Sequence, residues 1–354
     1  MRPSASPEPT PAGPKLLVVQ TSFLGDVVLT TPLLTALRQR LRPRELVVLV
    51  RRDAAALLAG HPDVDRVLVD DKHGAERGTG GLWRVARRLR AEGFDLVVSP
   101  HRSLRTALVL AAAGIPRRVG FDVARGAWLY HVRVPRDRRQ HDVRRNLALL
   151  AAFGDVPEPP PLHLPVDAGA ARRIAELLPP GAGPLVGLAP GSVWPTKRWT
   201  VDGFAALARA LVAGGAQVVL VGGPDDVGRC AAVATAAGAG VVSLAGRTDL
   251  PGLVALVDRL ALLVANDSAP MHVACARDVP VVAVFCATTP ALGYGPWGRR
   301  TAVVEADLAC RPCARHGGRR CPRGTEDCMR LVSAAAVLAT ARALLGGRMA
   351  GSAA

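Results

Sequence analysis

Short apolar runs, each followed by a turn and a longer helical pattern, constrain this chain more than any other feature. A first series comprises Lys15–Gln20, Glu45–Val50, Arg66–Val69, Leu96–Ser99 and Arg118–Gly120, separated by helical stretches such as Asp26–Leu41 and Leu82–Glu92. A second comprises Leu185–Ala189, Gln217–Gly222, Val241–Ser243, Leu262–Asn266 and Val281–Phe285. The runs are nearly continuous Val/Leu and lack the in/out alternation of a half-exposed strand, so helices must cover both faces of each sheet. The fold class expected is α/β, with two Rossmann-like doubly wound domains. Open parallel sheets bind ligands beyond the carboxyl ends of their strands, so functional motifs should lie just after strands, in an interdomain cleft.

At 354 residues the length suits two domains. Residues 1–14, rich in Pro, Ser and Ala without an apolar stretch, read as a disordered tail and not as a signal peptide. Residues 15–165 form the expected first domain. Pro-rich punctuation (VPEPPPLHLP, LPPGAGP) brackets a short helical patch and marks 166–183 as linker. Residues 184–330 form the second domain, and 331–345 a closing helix expected to pack back toward the first. The uncharged runs Leu177–Thr196 and Val279–Gly298 are broken by Gly and Pro and do not read as membrane spans. A soluble cytoplasmic protein is expected, at most peripheral on a membrane surface.

The net charge is +16, from 45 Lys+Arg against 29 Asp+Glu, and it is densest where eleven arginines face three aspartates over 102–145. Such a field draws phosphates, anionic headgroups or nucleic acid, unless it is simply a solvated face. Among those arginines only Phe121, Trp128 and Tyr130 could stack on bases, which speaks against nucleic acid.

After the first run, Thr21-Ser22-Phe23-Leu24-Gly25-Asp26 opens a helix. Asp26 is either a first-turn helix charge or a general base beside the cleft. No G-x-G-x-x-G follows, so the dinucleotide fingerprint is missing. After Leu185–Ala189 comes Pro190-Gly191-Ser192-Val193-Trp194-Pro195-Thr196-Lys197-Arg198-Trp199, where Ser192 and Lys197 could hold a diphosphate; Walker A spacing is absent. Gly222, Gly223 and Asp225 form a strand-to-helix turn, either a plain turn or a place for ribose hydroxyls. Asn266-Asp267-Ser268-Ala269-Pro270-Met271-His272 opens a helix after a strand, a site suited to anions. Asp63-Val64-Asp65 has D-x-D spacing but precedes its strand, and reads as a loop. Cys310, Cys313, Cys321 and Cys328 are a candidate structural zinc cluster, or else unligated or redox-sensitive thiols.

In order, S-x-x-G-D, A-P-G-S…P-x-K-R-W, V-G-G…D, L-A-G-R-T-D-L and N-D-S-A-P-M-H-V-A resemble the glycosyltransferase family 9 ADP-heptose:lipopolysaccharide heptosyltransferases. The likeness runs from about Lys15 to Leu345. K-R-W, P-H-R-S-L-R and the C-x-P-C…C-P…C-M segment look like the heptosyltransferase II branch. The resemblance implies a GT-B fold with acceptor in the first domain and nucleotide sugar in the second. It implies inversion at the anomeric carbon without metal or other cofactor, Asp26 acting as base, ADP-L-glycero-β-D-manno-heptose as donor and Kdo–lipid A inner core as acceptor. On the donor side it implies Ser192, Lys197, Gly222, Gly223, Asp225, Thr248, Asp267, Ser268, Ala269 and His272. On the acceptor side it implies Ser22, Gly25, Arg102, Ser103, Arg105, Arg117 and Arg118. Ala269-Pro270 departs from the Gly-Leu of many relatives. Two other readings stand beside this one: a related transferase with a different sugar nucleotide or acceptor, and a non-catalytic basic anion-binding protein, which would not need both Asp26 and Lys197.

Overall fold

The computed structural model describes residues 13–178 and 181–346. The expected tail therefore lies mostly outside the described residues, while Gly13 and Pro14 already belong to the first strand. The chain runs β1 (Gly13–Gln20), α1 (Leu24–Val28), α2 (Thr31–Leu41), β2 (Pro43–Arg51), β3 (Arg66–Asp70), α3 (Gly78–Glu92), β4 (Leu96–Ser99), α4 (Leu104–Ala112), β5 (Arg117–Phe121), β6 (Val132–Val134) and α5 (Asp142–Leu147). It continues through α6 (Ala168–Leu177), β7 (Leu185–Ala189), α7 (Val201–Ala213), β8 (Gln217–Leu220), α8 (Val227–Ala237), β9 (Val241–Ser243), α9 (Leu250–Asp258), β10 (Leu262–Asn266), α10 (Ala269–Ala276), β11 (Val281–Phe285), β12 (Thr301–Glu305), α11 (Asp327–Arg330) and α12 (Ala334–Leu345).

The first sheet has the order β3-β2-β1-β4-β5-β6 and is parallel throughout; Leu16 pairs with Leu46 on one side and Leu96 on the other. Strand order reverses between β1 and β4, which makes their carboxyl ends the switch point. Leu17, Val19, Val47, Leu49 and Val97 pack one face against Val85 and Leu89 of α3 and Leu110 of α4. Leu16, Val18 and Val48 point the other way and are equally buried, as a sheet covered on both faces requires.

The second sheet, β12-β11-β10-β7-β8-β9, is also parallel and switches between β7 and β10. Its core holds Val186, Leu188, Val218, Leu220, Val264 and Val284 under α7, α8 and α12. Trp199 is fully buried there, 4.9 Å from the Phe204 ring, and its indole N–H donates to the Val332 carbonyl at 2.9 Å.

One element differs from the sequence expectation. The single helix 26–41 is two, because the Thr30 hydroxyl donates to the Asp26 carbonyl, the Thr31 hydroxyl donates to the Val28 carbonyl, and Pro32 brings no N–H to continue the ladder. Within the second unit, Val337, Ala341 and Leu345 of the closing helix complete the core, against α7 and β10–β12. Two compact units share the described residues: one holds 13–22, 32–136 and 143–160, and the other holds Phe23–Thr31, Asp137–Asp142 and the described residues from Pro161 onward.

Candidate active site

The scaffold of the site is the β7/β10 switch point of the second unit. Asn266, fully buried at the end of the otherwise apolar β10, accepts the Trp199 N–H at 2.9 Å and donates to the Pro190 carbonyl at 2.8 Å. One amide thereby fixes the Pro190–Trp199 loop at both ends. Arg229 adds a bond to Pro190 O at 2.8 Å, and Arg198 donates to Ser192 O at 2.7 Å.

On this scaffold Lys197 Nζ lies 2.6 Å from Asp267 Oδ2, and the Thr288 hydroxyl donates to the same oxygen at 2.7 Å. Asp267 and Ser192 are buried; the Ser192 hydroxyl faces the Asp267 carbonyl at 3.5 Å. Ser268 caps α10, so Ala269 opens its first turn beside this ion pair, with Pro270 in a position that needs no N–H donor. A cation, buried hydroxyls and a helix N-terminus thus converge where an anion is well held.

The same unit contains α1, which packs against α10. Gly25 makes that approach close: a Cβ there would sit 2.8 Å from His272 Cδ2. Asp26 follows directly and accepts the Phe23 N–H at 3.2 Å, so it plays the first-turn role and also lies beside the His272 helix. His272 is buried and its Nδ1 has no bonded partner. His141, stacked on Trp297 at 4.6 Å and bonded to Gly295 O at 3.0 Å, is near enough to act on it electrostatically. Gly25→Ala is expected to cost about 1–3 kcal/mol of stability, since the buried ring has nowhere to retreat. By displacing α1 it should lower kcat about 10²-fold. Thermal unfolding and steady-state kinetics check both.

Burial, followed by the charges of His141 and Lys197, pushes His272 down to about 3. In the first unit burial likewise takes His101 to about 3, with Lys72, Arg102 and Arg105 adding to it. Both rings are neutral in the folded chain, whereas the unfolded chain protonates them near pH 6.5. Below pH 6.5 only the unfolded state gains these protons, so stability is complete above that pH and falls as pH drops toward 3. The expected loss at pH 5 is about 2 kcal/mol per histidine. Denaturant unfolding at pH 7.5 and 5 should show it, and His272→Asn should remove that residue's share.

Other expected site residues lie elsewhere. Asp225 is exposed; it is Asp226 that accepts the Gly223 N–H at 3.1 Å and lies against Gly191 and Gly222. Thr248 lines a separate hollow of about 360 Å³ with Arg173 and Ile174 of α6. In the first unit Arg105 is tied to the buried Asp70 and to Glu76 O. Arg118 donates to Leu129 O and Ile115 O, and Arg117 lies over the Phe153 ring and donates to Ala152 O. Each of these three arginines is bonded within the first unit. Ser103 caps α4 without a side-chain bond, next to Arg102, and Ser22 follows β1. At the β1/β4 switch point the structure adds Lys72, whose ammonium donates to Thr21 O at 2.5 Å and is held below its usual value by burial, then by Arg51. His101 Nδ1 lies 3.0 Å from Thr21 Oγ1 and 2.7 Å from Thr106 Oγ1.

Among the described residues no group of three His, Cys, Asp or Glu side chains gathers as a metal site. All seven cysteines are free thiols. Backbone N–H groups of Glu326 and its neighbours hold the Cys321 thiol below its usual value, and burial pushes Cys328 up to about 11.

Two parallel sheets with helices on both faces, each with its polar groups at a switch point, define a pair of Rossmann-like units of the GT-B glycosyltransferase kind. Residues 82–321 match glycosyltransferase family 9 (heptosyltransferase), and the chain belongs to that family. It is 30% identical over 315 residues to lipopolysaccharide heptosyltransferase 1 of Pseudomonas aeruginosa, covering 85% of this chain and 86% of that one. It is 31% identical over 293 residues to lipopolysaccharide heptosyltransferase 2 of Escherichia coli K12, covering 78% and 84%. The solved structure of the E. coli ADP-heptose heptosyltransferase II superposes with a TM-score of 0.78 at 26% identity, covering 94% of this chain and 98% of that one.

Proposed function

We propose that this glycosyltransferase moves L-glycero-D-manno-heptose from ADP-heptose onto the inner-core heptose of lipopolysaccharide, inverting the anomeric centre without a metal ion, at the cytoplasmic face of the inner membrane. The observation that carries the reading is the seating of Gly25 on His272, which packs α1, the helix that bears Asp26, against the helix that begins beside the Lys197–Asp267 pair. The Asp26 carboxylate accepts the proton of the acceptor hydroxyl as its oxygen attacks the anomeric carbon opposite the diphosphate. The bond from that carbon to the β-phosphate oxygen breaks and ADP departs with its electron pair. Lys197 and the α10 N-terminus bind the charge that collects on the diphosphate, and Ser192 adds a hydroxyl. His272, held neutral by burial, fills the space under Gly25.

Relatives named heptosyltransferase 1 and 2 lie at nearly the same identity, so acceptor choice is the variable to measure. Purified protein with ADP-heptose should be offered Kdo–lipid A with and without its first heptose, with and without chelator, and the products weighed by mass spectrometry. Gain of one heptose on the heptosylated acceptor alone, unchanged by chelator, is expected. Transfer to the unheptosylated acceptor would make the chain heptosyltransferase I-like, and turnover of a different sugar nucleotide would overturn the donor.

A further inference from the structure

Between β12 and α11 the described residues 306–326 hold no helix or strand, and they carry Cys310, Cys313 and Cys321 before Cys328 enters α11. A connection of that length inside a compact domain is ordinarily functional. Its bonds lead to the donor side of the second unit. The Arg311 guanidinium, on a side chain 4% exposed, donates to the carbonyls of Phe285 at 3.1 Å, of Cys286, and of Thr288 at 2.6 Å, where β11 ends. The Cys313 N–H donates to the Ala287 carbonyl at 3.0 Å. Further along, Gly318 and the buried Thr196 bind each other in both directions. The Gly318 N–H donates to the Thr196 hydroxyl at 2.7 Å, while that hydroxyl and the Thr196 N–H both donate to the Gly318 carbonyl, at 3.0 and 3.2 Å.

These bonds close a circuit around Lys197. Thr196 precedes it in the chain, and the Ala287 N–H donates to the Thr196 carbonyl at 3.2 Å. Thr288, next to Ala287, gives its hydroxyl to the Asp267 oxygen with which Lys197 pairs. Asn266 fixes the Pro190–Trp199 loop at its two ends, and the 306–326 connection holds its middle, at Thr196. The Lys197 stem itself lies against Gly317: a Cβ there would sit 2.9 Å from Lys197 Cγ and 3.2 Å from its Cδ, and the φ of +82° is a conformation that favours glycine. Lysine carries its charge on a flexible stem, so packing that stem before a ligand arrives lowers the ordering cost of binding an anion.

We propose that the cysteine-bearing connection positions the donor lysine: Thr196 and Gly318 set the place of the loop, and Gly317 confines the stem, so that the Lys197 ammonium meets a diphosphate. The proposal rests on the diphosphate role given to Lys197 above. ADP and adenosine are the probes, titrated calorimetrically into the full chain. Thr196→Val keeps the shape of the side chain and loses the hydroxyl; it should weaken ADP about tenfold and leave adenosine within about twofold, because only the ammonium is displaced. Thr196→Ser keeps the hydroxyl and should restore ADP binding. Gly317→Ala reaches the stem from the other side and should likewise weaken ADP about tenfold and spare adenosine. Added to Lys197→Met/Asp267→Asn, Thr196→Val should bring no further loss, since the group it positions is gone. Unchanged ADP affinity in either Thr196→Val or Gly317→Ala, whatever happens to the melting temperature, would make the connection structural only and overturn the proposal. So would equal losses of ADP and adenosine, or a fully additive loss on top of Lys197→Met/Asp267→Asn. If Lys197→Met/Asp267→Asn itself bound ADP as the wild type does, the diphosphate role of Lys197 would fall and the proposal with it. Weakened ADP in that variant, with wild-type affinity in the Thr196 and Gly317 variants, would remove the positioning role alone.

Discussion

Asp26→Asn is expected to lower kcat about 10³-fold while leaving ADP affinity within about threefold, since a positioned general base supplies roughly that factor. The amide is chosen because it keeps an oxygen to accept the Phe23 N–H, so α1 retains its first-turn bond and Gly25 stays on His272. Were Asp26 only a helix-capping charge, the variant would be kinetically silent and lose a few tenths of a kcal/mol. Calorimetric titration with ADP beside turnover measurements separates the two roles. Unchanged kcat would remove Asp26 as the base.

Lys197→Met should act on both donor binding and folding. Its ammonium is the cation beside Ser192 and the α10 N-terminus, and its loss is expected to weaken donor binding about 10²-fold, the range of a charge-assisted bond. The variant also strands Asp267, 5% exposed, with only the Thr288 hydroxyl among the described residues on its Oδ2, and an uncompensated buried carboxylate costs about 3–5 kcal/mol. Lys197→Met/Asp267→Asn should therefore recover most of the stability and none of the donor affinity, as read by thermal unfolding and titration. If the double variant regained affinity as well, Lys197 would be a structural partner of Asp267 and not a diphosphate ligand.

How much of this was written in the sequence depends on the physical signal each element leaves. β4, β7, β10 and β11 fall at the expected residues because strands covered on both faces are unbroken apolar runs. β6 and β12 escaped, since Val132-Arg133-Val134 is short and split by charge, and Thr301–Glu305 is a half-exposed edge strand. The positions of Ser192 and Asp267 were legible because they stand just after β7 and β10, and Lys197 follows in the same Pro190–Trp199 loop. Asn266 could have been found by the same logic, as the polar residue ending an apolar run; its value as a two-sided staple appears only once Pro190 and Trp199 are brought to it. The bonding of the arginines of the first unit was not legible, because composition gives each the same weight. Whether a guanidinium is free or spent on a carbonyl, as at Arg118, depends on loops distant in sequence. His141 left no signal in its arginine-rich loop; its stacking on Trp297 is a tertiary event.

The most direct measurement is the anomeric configuration of the product. Purified protein is given ADP-L-glycero-β-D-manno-heptose and a soluble, deacylated inner-core acceptor, and the new linkage is read by one-bond carbon–proton coupling in the NMR spectrum. A single displacement driven by Asp26 gives an α-linked heptose with stoichiometric ADP, and Asp26→Asn protein under the same conditions gives almost none. A β-linked product, or equal yield from the Asp26→Asn protein, would contradict single displacement from Asp26.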